Sequence, residues 1–94
     1  MNNDKEKNKP GEIMKQSILT DLGSCSEGDL VKIIKIRGNE LIRKRLVEMG
    51  FLRGKIIKIV KYAPLKDPVE VEINGSHVSL RVCEAAGIDV EAVN

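Results

Sequence analysis

One histidine, two cysteines and scattered carboxylates are the residues of this chain that could hold a metal or move a proton. A metal centre or an acid–base pair needs several such groups converging on one point. Their spacing argues against convergence. Residues Val69 to Ile73 read VEVEI, Asn74-Gly75 follows, and SHVSL begins at Ser76. Asn-Gly between alternating apolar runs is the preferred pair for a two-residue type I′ hairpin. That turn sets Val71 against Val78 and Val69 against Leu80 on the inner face, with Glu72 opposite His77 and Glu70 opposite Ser79 outside. His77 is then expected on the surface beside Glu72, an exposed pair worth less than about 1 kcal/mol. If the second strand runs from Ser76 to Cys83, the Cys83 thiol lies about 20 Å along it from His77, outside any shared coordination sphere. Glu70, Glu72, Asp89 and Glu91 take outward strand positions, where carboxylates keep a sheet soluble. There is no phosphate-binding GxxxxGK[ST] loop and no nucleophile elbow. The reading is of no enzyme, no cofactor and no metal site.

Cations are the other chemistry on offer. Arg43, Lys44 and Arg45 follow one another, with Arg37 before them and Arg53 and Lys55 after. Glu40 and Glu48 stand four residues to either side of Lys44, so one reading is a solvated helix flank. The other is a patch for an acidic protein surface. Leu65, between Pro64 and Pro68, is a candidate exposed apolar contact on a rigid loop. The candidate partner-binding set is Arg43, Lys44, Arg45, Met49 and Leu52 from the helix and its end, with Pro64, Leu65, Lys66 and Asp67 from the loop. An aromatic groove for proline-rich peptides cannot be built from Phe51 and Tyr62 alone.

These residues need elements to hold them. Between Gly38 and Gly54, apolar Ile42, Leu46 and Met49 recur at helical spacing, with Leu41 widening the stripe. Asn39 is a suitable N-cap and Gly50 a suitable left-handed stop. With Gly50 just past the end, Phe51 closes onto Leu46 in a Schellman motif. This helix is expected to plug or bridge a strongly bent sheet. Leu30–Ile36 and Lys55–Tyr62 carry apolar residues on both parities, the mark of bulged, curved strands. A brief first strand ends by Gly23, Ser26 to Asp29 form a turn, Glu84 to Gly87 form one helical turn, and Ile88 and Val90 alternate in a last strand. Met1–Gln16 has no apolar period and reads as a flexible tail, residues 1–16, ahead of one domain, residues 17–94. The fold class is mainly β: a small, partly open SH3-like barrel with one short α-helix inserted between strands and a short helical turn near the C-terminus.

Ninety-four residues with 41% hydrophobic and 2% aromatic content bound the function further. A chain this short builds one aliphatic core and leaves little room for a large cavity. A net charge of +2 is too mild for a polyanion binder, and the aromatic platform that stacks bases is missing, so no nucleic acid partner is expected. No apolar run suits a bilayer span or a signal peptide, which places the chain in the cytoplasm with Cys25 and Cys83 as free thiols. Unpaired strand edges leave weak self-association open.

Read as a whole, RKRLVEMGFLRGKIIKIVKYAPLKDPVEVEINGSHVSLRVCEAAGIDV resembles the FeoA family of small ferrous-iron transport accessory proteins. The resemblance runs from Ser17 to about Val93. It rests on the order and spacing of Arg45-Leu46 with Met49-Gly50, Ala63-Pro64-Leu65 with Asp67-Pro68, Leu80-Arg81, and Glu84-Ala85 leading to Ile88 and Val90. It implies an SH3-like barrel and a non-enzymatic, regulatory role beside FeoB, the membrane ferrous-iron transporter with a cytosolic guanine-nucleotide-binding domain. That partner would recruit the chain to the inner face of the membrane. A similar domain ends the iron-dependent repressors, so the alternative implied is a metal-binding regulatory module. Two departures stand out: Lys66 occupies a loop position where the family often has Gly, and the charged tail is long.

Overall fold

The computed structural model describes residues 19–93. The tail assigned to residues 1–16, and Ser17 and Ile18 at the start of the domain, lie outside the described residues. Six strands form one antiparallel sheet: β1 Leu19–Asp21, β2 Leu30–Ile36, β3 Ile56–Tyr62, β4 Val69–Ile73, β5 Ser76–Leu80 and β6 Ile88–Ala92. Their order is β1-β6-β2-β3-β4-β5, so β1 and β5 are edges and the sheet curls without closing. Helix α1 (Glu40–Glu48) joins β2 to β3, helix α2 (Val82–Ala85) joins β5 to β6, and a 3-10 turn, Leu22–Ser24, follows β1.

The bend comes from two bulges at matching places. In β2, Ile33 faces Val90 and Lys35 faces Asp89, leaving Ile34 as the extra residue. In β3, Ile59 faces Val71 and Lys61 faces Glu70, leaving Val60 extra. One inserted residue reverses the alternation beyond it. Val31 and Ile33 are buried before the β2 bulge and Ile36 packs on the core after it; Ile57 and Ile59 precede the β3 bulge and Tyr62 follows. Apolar residues on both parities thus reach one interior.

That interior is aliphatic with a single fully buried ring, Phe51, and the same cluster includes Leu22, Leu46, Leu80, Ala85, Ile88 and Val90. The 3-10 turn delivers Leu22, whereas Leu19 in β1 is largely exposed. Tyr62 pins the turn from the far side: its hydroxyl lies 3.2 Å from the Gly23 carbonyl and 2.5 Å from that of Cys25, to either of which it can donate.

The hairpin has the expected register throughout, from Ile73 opposite Ser76 to Val69 opposite Leu80. Asn74 (φ 53) and Gly75 (φ 81) take the left-handed conformations that a type I′ turn requires. Helix α1 is capped as its sequence predicts. Asn39 Oδ1 accepts from the Ile42 N–H at 2.8 Å. At the other end the Phe51 N–H donates to the Leu46 carbonyl at 3.0 Å and the Gly50 N–H to that of Val47 at 2.9 Å, the two bonds of a Schellman motif.

Of the two expected roles, plugging or bridging the bent sheet, the helix takes the bridge from β2 to β3. Only Leu46 is buried on it, Ile42 and Met49 are half-buried, and Leu41 is 78% exposed, so the expected widening of the stripe by Leu41 fails. Leu41 stands one residue ahead of the stripe, and the helix rests on a narrow ridge. The hairpin's second strand also ends sooner than expected. It stops at Leu80, and Val82–Ala85 form the helical turn expected at Glu84 to Gly87. Asp67 helps fix that early start, since its Oδ1 accepts the Val82 N–H at 3.0 Å.

Candidate partner-binding surface

The candidate residues divide into braces and free side chains. Arg45 is a brace: its guanidinium pairs with the Glu84 carboxylate, so α1 is tied to α2. The other Glu84 oxygen accepts the Arg81 N–H at 3.0 Å, capping α2. The Arg81 N–H and then Arg45 hold the Glu84 carboxyl below its ordinary pKa range. Asp67 is a second brace at the same short helix, through Val82. Met49 is half-buried at the end of α1. Arg37, outside the candidate set, clamps β6: its Nη2 lies 2.8 Å from Asp89 Oδ1 and 2.9 Å from the Ala86 carbonyl, and that pairing holds the Asp89 carboxyl low.

The exposed candidates whose side chains make no hydrogen bond or ion pair with another described residue are Arg43, Lys44, Leu52, Pro64, Leu65 and Lys66. Neither Arg43 nor Lys44 forms an ion pair with another described residue. Leu65 is 89% exposed at the loop tip. Lys66 takes φ 70, the conformation a glycine would favour, and its Nζ sits 5.9 Å from the centre of the Tyr62 ring. The loop keeps its shape without glycine: the Lys66 N–H donates to the Ala63 carbonyl at 2.7 Å and the Ala63 N–H to that of Pro68 at 3.0 Å.

Helix and loop share α2 as an anchor but not a groove. A shallow groove of about 340 Å³ is lined by Ile34, Lys35, Ile36, Arg43, Val47, Leu52 and Arg53. On the other side of Val47, Glu40, Arg43, Lys44 and Glu48 border a second depression. The loop opens elsewhere, where Lys66 meets Gly23 to Glu27, Tyr62 and Val82. Ile34, Lys35, Ile36 and Val47 are the groove residues that the sequence pattern did not single out. Val47 carried a signal, an apolar residue off the Ile42–Leu46–Met49 stripe; Ile34 owes its place to the bulge.

The remaining chemical residues are dispersed. His77 Nδ1 lies 2.7 Å from Glu70 Oε2, while Glu72, the expected neighbour, is 3.9 Å from Nε2. The directly opposite pairing with Glu72 is correct in register, but the ring leans along the strand to the diagonal carboxylate. Cys83 is exposed on α2, not on a strand as expected, so the strand-length separation from His77 does not apply. Cys25 is buried; burial first, then Asp29 and Asp21, push its thiol up to about 11. Among the described residues no group of three His, Cys, Asp or Glu side chains gathers as a metal site would require. Among them too, no helix is long and apolar enough to cross a membrane.

Comparison with known proteins gives a consistent picture. The FeoA domain family model matches residues 20–92. An Fe(2+) transport protein A/Fe(2+) transporter FeoB fusion protein of Porphyromonas gingivalis is 44% identical over 73 residues, which cover 78% of this chain and 9% of that far longer protein. The solution structure of the FeoA protein from Chlorobium tepidum superposes with a TM-score of 0.76 at 33% identity, over 80% of this chain and 71% of that one. A manganese-dependent transcriptional repressor shares the fold alone, with a TM-score of 0.75 at 16% identity over 83% of this chain and 44% of that one. The matched segment contains every element from β2 to β6, both capped helices and the proline loop, so this chain, with its SH3-like fold, belongs to the FeoA family.

Proposed function

We propose that the chain is an accessory and regulatory protein of ferrous-iron transport that docks, without catalysis of its own, on the cytosolic part of a FeoB-type transporter. The observation that carries this reading is the Porphyromonas gingivalis relative, whose name joins a segment 44% identical to this one with a transporter in a single polypeptide. Fusion holds two modules at high effective concentration, which is useful when they work in contact. The surface supports that mode. Arg43 and Lys44 are exposed on α1, Arg43 beside exposed Leu52, and Leu65 is exposed on the loop. Apolar anchors hold such a contact together, while surrounding charge speeds encounter.

The test is binding of the full chain to a purified, detergent-solubilised FeoB-type transporter. The expected result is saturable association with a Kd of ~1 μM, about −8 kcal/mol. Leu65→Asp combined with Arg43→Glu is expected to weaken it at least tenfold, about 1.4 kcal/mol. No association up to about 100 μM contradicts the proposal.

A further inference from the structure

Resting on the docking role just proposed, we infer that the groove between α1 and the β2 bulge receives an acidic segment of the transporter that presents one bulky aliphatic or aromatic side chain. Ile34, Val47 and Leu52 form the apolar floor, and Lys35, Arg43 and Arg53 form the rim. Among the described residues no carboxylate lines it.

Each wall is held by a bond that does not depend on a partner. Ile34 is the residue that the β2 bulge leaves outside the regular alternation. Leu52 and Arg53 sit in a tight turn closed by the Lys55 N–H on the Leu52 carbonyl at 3.0 Å. That turn is locked to β2, since the Gly54 N–H donates to the Ile33 carbonyl at 2.8 Å and the Ile33 N–H to that of Lys55 at 2.9 Å. The third wall, Arg43 and Val47, is held by the Asn39 cap and by the Arg45–Glu84 brace. A preformed groove spares the ordering cost of docking.

Charge complementarity selects the occupant. Three cations that form no ion pair with another described residue, set around an apolar floor, favour a segment with carboxylates flanking a large apolar side chain, and they disfavour a basic one. A volume of about 340 Å³ suits a side chain or two of a segment and not a whole small ligand. An anionic bilayer suits it less well. The apolar side chains line a concavity instead of protruding, and Glu40 and Glu48 on the same helix would face the lipid phosphates.

The experiment compares the wild-type chain, Val47→Asp, Leu52→Asp and Arg43→Glu/Arg53→Glu for binding to the solubilised transporter, and to phosphatidylglycerol vesicles in parallel. All substituted positions are exposed, and thermal unfolding of each variant checks that it folds. The inference expects at least about a tenfold loss of transporter affinity in each variant and, for wild type, affinity that falls as salt rises. Wild-type binding with all three folded variants unchanged overturns the groove and leaves the docking role standing. No wild-type binding overturns that role and the inference with it. Loss confined to vesicle binding assigns the groove to lipid and overturns the inference.

Discussion

At Lys66 a side chain stands where the backbone asks for glycine. Its φ of 70 costs an L-residue about 1–2 kcal/mol, and glycine would regain that less about 0.5–1 kcal/mol of extra chain entropy. The lysine also contributes a contact with the Tyr62 ring, so wild type is a poor reference. Comparing Lys66→Gly with Lys66→Ala removes the contact from both. The glycine variant is expected to be more stable by about 0.5–1 kcal/mol in urea unfolding; equal stabilities would mean that the loop relaxes. Cys25 gives a pH dependence of known sign. Its folded thiol is raised from 9.0 to about 11, so its contribution to stability is whole below pH 9 and is lost as pH rises towards 11. Burial raises Tyr62 in the same direction. Urea midpoints should fall across that interval, and Cys25→Ala should flatten the fall. At neutral pH a thiol reagent should label exposed Cys83 quickly and Cys25 only on unfolding.

At the scale of elements, the short α1 has little of its own to stand on. One buried side chain, two half-buried ones and the caps hold it, so its two ends and its brace carry the load. Phe51 is the stronger hold: it is fully buried and closes the Schellman motif, and Phe51→Ala should cost about 3–5 kcal/mol. The Arg45–Glu84 brace is weaker, because the arginine is half exposed to solvent. A double-mutant cycle on Arg45→Ala and Glu84→Ala should return a coupling below about 1 kcal/mol, with Glu84→Ala the more damaging single change because it also uncaps α2. A coupling well above that would mean that the brace is structural in its own right. What the sequence made legible at this scale was local. The Asn39 cap, the Gly50 stop, the Asn74-Gly75 register and the two bulges follow from neighbours within a few residues, and all appear. What it hid was long-range. The exposure of Leu41, the engagement of Arg45 by Glu84 and of Asp67 by Val82, and the choice of Glu70 over Glu72 by His77 depend on how far apart elements settle. The groove needs three such placements at once, so Arg43, Leu52 and Arg53 could be noticed separately while their meeting with Ile34 and Val47 could not.

For the whole molecule, the curled sheet is a frame, and the docking proposal puts its working surface at α1, the longer of the two helices inserted between strands. The β4–β5 hairpin and its His77 lie on other elements, joined to the helix where Gly50 abuts the turn: a Cβ added there would come within 2.7 Å of Asn74 Nδ2. A partner that uses the groove should therefore disturb two stretches of sequence that meet in space, residues 34–36 and 43–54, and spare the strands beyond. Backbone amide NMR of the isotopically labelled chain, titrated with the cytosolic guanine-nucleotide-binding domain of a FeoB-type transporter, tests this most directly. Shifts and broadening centred on Ile34, Arg43, Val47, Leu52 and Arg53 are the predicted result. Saturable shifts centred on the hairpin around His77 and absent from α1, or an unperturbed spectrum at saturating domain, would contradict the account.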